Sequence, residues 1–239
     1  DRLAVAEMFG MVGMIDVIIP RGGKSLCERV QKESRVPTLL HLDGNCHTYI
    51  HERAEASMAR EVLLNAKMRR VGICGATESL LVDEAAAVAM LPMLAEALIS
   101  AGCEMRGDGA SQAIDPRITL ASDDDWSKEY LAPIISVKIV SGLDEAIAHI
   151  NRYGSHHTDA IITANVAAAR QFLRQGDSAI VIHNSSTPFA GGGGFGFGGG
   201  IGCTRAGRWA LSSSLPINMW CMEMGRCGRE GNRTSWRFV

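Results

Sequence analysis

Cys74 is the residue whose type and surroundings best suit covalent chemistry. It lies in the segment NAKMRRVGICGATESLLV, where Arg69 and Arg70 precede it and Gly75 follows it. Nearby cations and oriented backbone N–H groups favour the thiolate, the form of cysteine that attacks carbonyl carbon. The alternative is a small buried hydrophobic residue, which is what most free cysteines are. The residue type alone leaves both alternatives open.

Histidines form the second group with chemical potential. His41 and His47 share the segment HLDGNCH, and His156 and His157 are adjacent in GSHHTDAIIT. A metal site is not predicted, because neighbours on an extended chain point apart and no histidine–cysteine cluster has zinc spacing. The adjacent pair either lines the mouth of a substrate site or closes a loop.

Composition limits the class of protein. The 239 residues are 46% hydrophobic and 21% charged, with a net charge of -2, as in soluble globular proteins rather than nucleic-acid or membrane binders. No apolar run approaches the length of a membrane span. The seven cysteines are an odd number with no CxxC pair, which favours free thiols in a reducing compartment, the cytoplasm.

Hydrophobic periodicity predicts alternating helices and strands up to about residue 184. Helices are predicted at 2–10, in GKSLCERVQKES, at 53–68, at 85–101, in SGLDEAIAHINRYGS and in NVAAARQFLRQG. Strands are predicted at 15–20, at 36–42, in ESLLVDEAAA, at 133–140, in DAIITAN and at 178–184. This alternation predicts an α/β fold with a parallel sheet that would position Cys74 in a loop between a helix and a strand.

Six blocks of the sequence, taken in order, resemble the gamma-glutamyl phosphate reductase family of the aldehyde dehydrogenase superfamily. The blocks are IDVIIPRGGKSLCERVQKES, VPTLLHLDGNCH, NAKMRRVGICGATESLLVD, EYLAPIISVKIV, EAIAHINRYGSHHTDAIIT and IVIHNSSTPFA. The resemblance implies NADPH-dependent reduction of L-glutamyl 5-phosphate to L-glutamate 5-semialdehyde and phosphate, in proline biosynthesis. It runs from Asp1 to about Phe189.

The resemblance also implies an aldehyde-dehydrogenase-like division of the chain. Residues 1–40 would be the last part of a doubly wound NADP-binding domain, and residues 41–189 the parallel-sheet catalytic domain. The upstream part of the cofactor domain is expected to be missing, together with an Asn that completes the oxyanion hole. Residues 190–239 would hold a Gly-rich segment and an aberrant tail in place of the segment that helps form homo-oligomers.

For the reacting groups, the resemblance implies that Cys74 displaces phosphate from the acyl phosphate and forms a thioester, which hydride from the nicotinamide then reduces. Gly22 and Gly23 would face the cofactor, although such pairs are most often tight turns. Glu129 would hydrogen-bond the nicotinamide ribose. Its alternative is a solvated charge after the acidic run at 123–125.

For the substrate, the resemblance places His41 where hydrolytic aldehyde dehydrogenases have a water-activating Glu. Losing that carboxylate suits an enzyme that must not hydrolyse its thioester. Arg69 and Arg70 would hold the substrate phosphate or carboxylate, with an exposed surface pair as the alternative. His156 and His157 are likewise assigned to substrate binding. A packing role is as well supported as a site role for His47.

The tail departs from the family in two ways. Pro188 and Gly191 stand where the family has Arg and Asp, and eight of the ten residues at 191–200 are glycine. From Cys203 onward the sequence is unlike the family, and reading its codons one base earlier allows a family-like string. We therefore hypothesise that residues 203–239 come from a frameshift, which the encoding nucleotide sequence would decide.

Three other identities compete with a stand-alone reductase. One is the reductase part of a fused glutamate kinase–reductase. For a stand-alone enzyme, the corresponding expectation is contact with a separate glutamate kinase. Another is a noncatalytic remnant or subunit partner, which the glycine run and the tail favour. A general aldehyde dehydrogenase is disfavoured because His41 replaces the water-activating Glu.

Overall fold

The computed structural model describes residues 2–20, 24–38 and 43–190. Gly22, Gly23, His41 and the tail beyond residue 190 lie outside the described residues, so their predicted roles stay predictions. The described helices are α1 Arg2–Met8, α2 Lys24–Glu33, α3 Ala56–Met68, α4 Glu84–Ser100, α5 Gly109–Ile114, α6 Leu143–Tyr153 and α7 Val166–Gln175. The strands are β1 Cys46–Ile50, β2 Thr77–Asp83, β3 Glu104–Gly107, β4 Thr119–Leu120, β5 Ile134–Val140, β6 Thr158–Ile162 and β7 Ile180–His183.

All seven strands form one parallel sheet in the order β4-β3-β5-β2-β1-β6-β7. The α/β fold predicted from the alternating pattern is confirmed. Side chains of successive strand residues enter opposite faces of a sheet. Ile50 and Val82 therefore join the core beneath α3 and α4, whereas Tyr49 and Leu81 join the core beneath α6 and α7. Burial on both faces explains why the central strands read as continuous buried runs.

The predicted strand at 15–20 is not a strand in the structure, and the described part of the predicted strand at 36–42 contains a single bridge. Residues 15–20 contribute only isolated β-bridges, one of which joins Ile18 to Thr38. Thr38 lies within the predicted strand at 36–42. Val17 and Ile19 are exposed rather than buried, at 42% and 37%. Within the described residues no neighbouring strand extends either bridge into a ladder, and an apolar run without a ladder partner is not a strand. Residues 39–42 lie outside the described part.

The start of the sheet's central pair determines where Cys74 lies. In the parallel register Cys46 of β1 is opposite Thr77 of β2, with an irregularity between Cys46 and His47. Cys74 is in the turn just before β2, so it lies at the amino ends of the strands. Residues that precede β1, β6 and β7 reach the same edge.

Candidate active site

The turn that carries Cys74 packs directly on the chain that enters β1. A Cβ atom added to Gly44 would lie 2.1 Å from the carbonyl oxygen of Cys74 and 2.6 Å from its Cα, so only glycine fits there. The thiol of Cys46 donates a hydrogen bond to the same carbonyl oxygen at 3.2 Å. Cys74 itself is half-buried and is not part of a disulfide. The backbone of the turn is therefore fixed from behind while the residue keeps partial access to solvent.

A second set of contacts joins the turn to the segment after β7. Gly75 faces that segment so closely that an added Cβ would be 3.4 Å from the carbonyl oxygen of Thr187. The Thr187 hydroxyl is 2.9 Å from the Thr77 hydroxyl, which is 2.7 Å from the Thr48 hydroxyl. This row of buried hydroxyls ties the starts of two strands to the short 3₁₀ helix Thr187–Ala190.

Arg69 and Arg70 follow α3 and are both exposed. The guanidinium carbon of Arg69 lies 5.7 Å from the centre of the Phe189 ring, within cation–π range. This contact orients Arg69 on the same 3₁₀ helix that packs against Gly75. The predicted anion-binding role of the two arginines stays a prediction, and exposure leaves them available for it.

A buried ion pair lies on the other side of β2. The Nζ of Lys67 is 2.5 Å from Oε2 of Glu78, and both side chains are fully buried. Burial raises the pKa of Glu78 to about 7, while the Lys67 ammonium opposes that rise. Removing one partner of such a buried pair would leave the other without its hydrogen-bond partner, which is strongly destabilising. Lys67 belongs to the basic run that precedes Cys74 in the sequence, but neither its pairing with Glu78 nor Glu78 itself was predicted as part of the site.

Glu78 also reaches the segment that contains Glu129. The backbone N–H of Leu131 donates to Oε1 of Glu78 at 3.3 Å. The hydroxyl of Tyr130 donates to Asp125 at 2.7 Å. Glu129 is half-buried, and its negative charge adds to the rise in the pKa of Glu78, which means the two carboxylates are near one another. A partly accessible carboxylate offers acceptors for ribose hydroxyls, so this position fits the predicted cofactor contact.

The structure separates the two adjacent histidines. His156 has a positive φ of 60°, and its Nδ1 lies 2.6 Å from the carbonyl oxygen of Asp177, in the loop that leads to β7. His157 is buried, with Nδ1 at 2.8 Å from the Thr158 hydroxyl and 3.6 Å from the Cys46 sulfur. His157 therefore lies beneath the Cys74 turn rather than at an open mouth. Its predicted contact with substrate stays a prediction.

His47 has the surroundings of a packing residue. It is fully buried, its backbone N–H donates to Asp159 at 2.7 Å, and its Nδ1 lies 3.2 Å from the same carboxylate oxygen. The edge of its ring meets His149 with the ring centres 5.7 Å apart.

Among the described residues no group of three or more metal-ligand side chains could hold an ion. No helix in the described ranges has the length and apolarity of a membrane span.

Comparison with known proteins places these features in a family context. A sequence model of the aldehyde dehydrogenase family matches residues 97–215. A gamma-glutamyl phosphate reductase of Methylobacterium sp. strain 4-46 is 59% identical over 203 residues, which are 84% of this chain and 47% of that protein. The chain thus spans about half the length of the curated relatives it matches. The family match extends past Cys203, so the point at which the resemblance ends stays a prediction.

Solved structures support the same relationship. The crystal structure of gamma-glutamyl phosphate reductase from Thermotoga maritima superposes with a TM-score of 0.83 at 42% identity, covering 85% of this chain and 49% of that one. A glyceraldehyde-3-phosphate dehydrogenase from Methanocaldococcus jannaschii, solved in complex with NADP, has a TM-score of 0.60 at 16% identity, covering 75% of this chain and 48% of that one. The second likeness shows the fold alone.

Proposed function

We propose that this chain, which belongs to the aldehyde dehydrogenase superfamily and is homologous to its gamma-glutamyl phosphate reductases, carries the nucleophile of an enzyme that reduces L-glutamyl 5-phosphate to L-glutamate 5-semialdehyde and phosphate. One observation carries the proposal. Cys74 is half-buried in a turn whose backbone is fixed by Gly44, within a segment that matches the reductases. A fixed and partly accessible thiol is what covalent catalysis needs.

The first half-reaction follows from the position of that sulfur. The thiol of Cys74 loses its proton to solvent water, to which the half-buried residue has access, and the thiolate attacks the acyl carbon of the substrate. A carbon–sulfur bond forms, the bond from that carbon to the phosphate oxygen breaks, and phosphate leaves with the electron pair. The remaining group is a glutamyl thioester on Cys74. Arg69, oriented by Phe189, and the adjacent Arg70 provide cationic partners for the anionic substrate.

NADPH is the proposed cofactor, and when bound it would supply the hydride for the second half-reaction. Glu129 is the described residue placed to accept hydrogen bonds from the ribose, and Gly22 and Gly23 are proposed to face the cofactor. A neighbour of the same fold binds NADP. His41 and His157 are proposed to lie on the substrate side of the site. Because position 41 holds a histidine and not a glutamate, no carboxylate there activates water to hydrolyse the thioester.

The cellular setting is also proposed. None of the four described cysteines, Cys27, Cys46, Cys74 and Cys103, is in a disulfide, which suits the cytoplasm. Homo-oligomerisation and contact with a glutamate kinase are proposed for the full-length enzyme. Its pathway would be proline biosynthesis.

The test measures phosphate-dependent reduction of NADP⁺ in the presence of L-glutamate 5-semialdehyde. It uses the chain alone and the chain fused behind the amino-terminal half of the Thermotoga maritima relative. We expect activity in the fusion, and a covalent acyl adduct that mass spectrometry maps to Cys74. An adduct on another cysteine would refute the nucleophile assignment. No activity in either form would favour a noncatalytic role.

A further inference from the structure

Leu131 has a strained backbone that its own side chain does not explain. Its φ is 53°, in the left-handed region that is unfavourable for residues other than glycine. The side chain is 49% exposed, so core packing does not impose this conformation. Strain of this kind persists only where surrounding contacts require it, and such positions cluster at functional sites. The contact that meets Leu131 is the hydrogen bond from its N–H to Glu78.

Glu78 is itself held rigidly. Its two carboxylate oxygens have separate partners, since Oε2 contacts the Lys67 ammonium and Oε1 accepts from Leu131. Its backbone carbonyl accepts a hydrogen bond from the Ser136 hydroxyl of the neighbouring strand at 3.3 Å. A buried acid fixed at both ends is a stiff link between β2 and the segment that precedes β5.

The rest of that segment is anchored on the same side. Tyr130 donates to Asp125, and Asp125 accepts from Arg106 at 3.1 Å. The Nζ of Lys67 lies 5.9 Å from the centre of the Tyr130 ring. Glu129 immediately precedes these two anchored residues, so the direction of its carboxylate depends on both of them.

We propose that Glu78 is a positioning residue, which holds residues 129–131 in their strained arrangement through the Leu131 N–H and thereby directs Glu129 toward the cofactor. Glu78 lies four residues after Cys74 on the strand that the nucleophile turn enters. It therefore also sets the distance between the nucleophile and the cofactor contact. This inference rests on the proposed function for the role of Glu129, but the link from Glu78 to Leu131 is independent of it.

The test compares two double variants of the fusion described above. Lys67→Met with Glu78→Gln removes the ion pair and keeps a side-chain oxygen that can accept from Leu131. Lys67→Met with Glu78→Met removes the ion pair and the acceptor at similar side-chain length. Loss of the ion pair affects both variants, so a difference between them reports the acceptor alone.

Two measurements are made on each variant. Amide hydrogen exchange of the peptide containing Leu131 should be about tenfold faster in the Met variant than in the Gln variant, as expected for one lost hydrogen bond. The KM for NADPH should rise by about tenfold in the Met variant, with a smaller change in kcat. Alkylation of Cys74 by iodoacetamide should proceed at the same rate in both.

The inference would be overturned if the Leu131 peptide exchanged at the same rate in the two variants. It would also be overturned if both variants had the same KM for NADPH and a kcat equal to that of wild type. An inactive parent protein would instead count against the proposed function, and the exchange measurement would still decide the link to Leu131. If the double variants do not fold, the wild-type protein makes the test, because the Leu131 N–H is the donor to Glu78. That amide should exchange at least about tenfold more slowly than the same amide in an unfolded chain, and exchange at the unfolded rate would refute the proposal.

Discussion

Gly44 and Cys74 are in backbone contact, although 30 positions separate them in the sequence. A Cβ on residue 44 would lie 2.1 Å from the carbonyl oxygen of Cys74, a distance that no real side chain can adopt. Any other residue at position 44 must therefore push the Cys74 turn away from β1. The position of the Cys74 sulfur depends on the absence of a Cβ atom at position 44.

Gly44→Ala should lower activity by about a hundredfold, because a displacement of about 1 Å at the reacting atom is enough for such a loss. The alkylation rate of Cys74 should change with it. Gly72→Ala is the matched control, since it lies in the same turn with no atom within 4 Å of an added Cβ and no positive φ. Equal activity in the two variants would show that Gly44 does not position Cys74.

Arg69→Met should raise the KM for the acyl phosphate by about tenfold and leave kcat within about twofold, because it removes a guanidinium that Phe189 orients beside the nucleophile turn. Steady-state kinetics with kinase-generated glutamyl phosphate measure both constants. Arg60→Met removes an exposed charge from the middle of the same helix and should change neither. A KM unaffected by loss of Arg69 would support the surface-pair alternative.

Tyr49→Phe should destabilise the protein by roughly 1.5–3 kcal/mol, as expected for a buried hydrogen bond to a carboxylate. The Tyr49 hydroxyl donates to Asp83 at 2.7 Å, and the other oxygen of Asp83 caps α4 by accepting from the Ala85 N–H. Urea unfolding gives the free energy. The control Tyr153→Phe, at a half-buried site, should stay within about 0.5 kcal/mol of wild type.

His149 should make the fold sensitive to acid. Burial, together with the neighbouring His47 and Lys138, lowers its pKa to about 3. Between that value and the ordinary pKa of 6.5, the unfolded chain binds a proton that the folded chain does not. The free energy of unfolding should therefore fall as pH falls from 6.5, by up to about 1.4 kcal/mol per unit.

His149→Phe tests this dependence. The Nε2 of His149 is buried without a hydrogen-bond partner, and the ring contacts Trp126 and Tyr153, so an aromatic replacement should keep the packing at little cost. Urea unfolding at several pH values should show a shallower acid slope in this variant. Val88→Ala, at an exposed site with no titratable side chain, should keep the wild-type slope. Parallel slopes in wild type and His149→Phe would refute the assignment.

The sequence identified the long, strongly periodic elements and missed the short polar ones. The run that forms α6 and the apolar runs of β5 and β7 were predicted because their patterns extend over enough residues to be distinctive. β1 was missed because Cys46–Ile50 contains His and Thr, whose burial depends on partners distant in sequence. β3, β4 and α5 were missed because each is too short to show a recognisable period of hydrophobic residues.

The same limit applied to the site. Cys74 could be singled out because its flanking residues are informative in the linear sequence. Gly44 matters because of its contact with Cys74, and Glu78 because of its contact with Leu131. The neighbouring sequence does not predict either contact. A family resemblance could assign Glu129 a function but could not reveal what holds it in place.

The location of Cys74 at the amino ends of the strands has an electrostatic consequence. Helices α3, α6 and α7 run back to that edge, so their carboxyl ends, which carry partial negative charge from the helix macrodipole, point toward it. The scaffold's own field thus disfavours both a thiolate and an anionic substrate there. Lys67 is already neutralised by Glu78. If Cys74 is the nucleophile, the attraction for a thiolate and an anionic substrate must therefore come from exposed cationic side chains, of which Arg69 and Arg70 are the candidates named above.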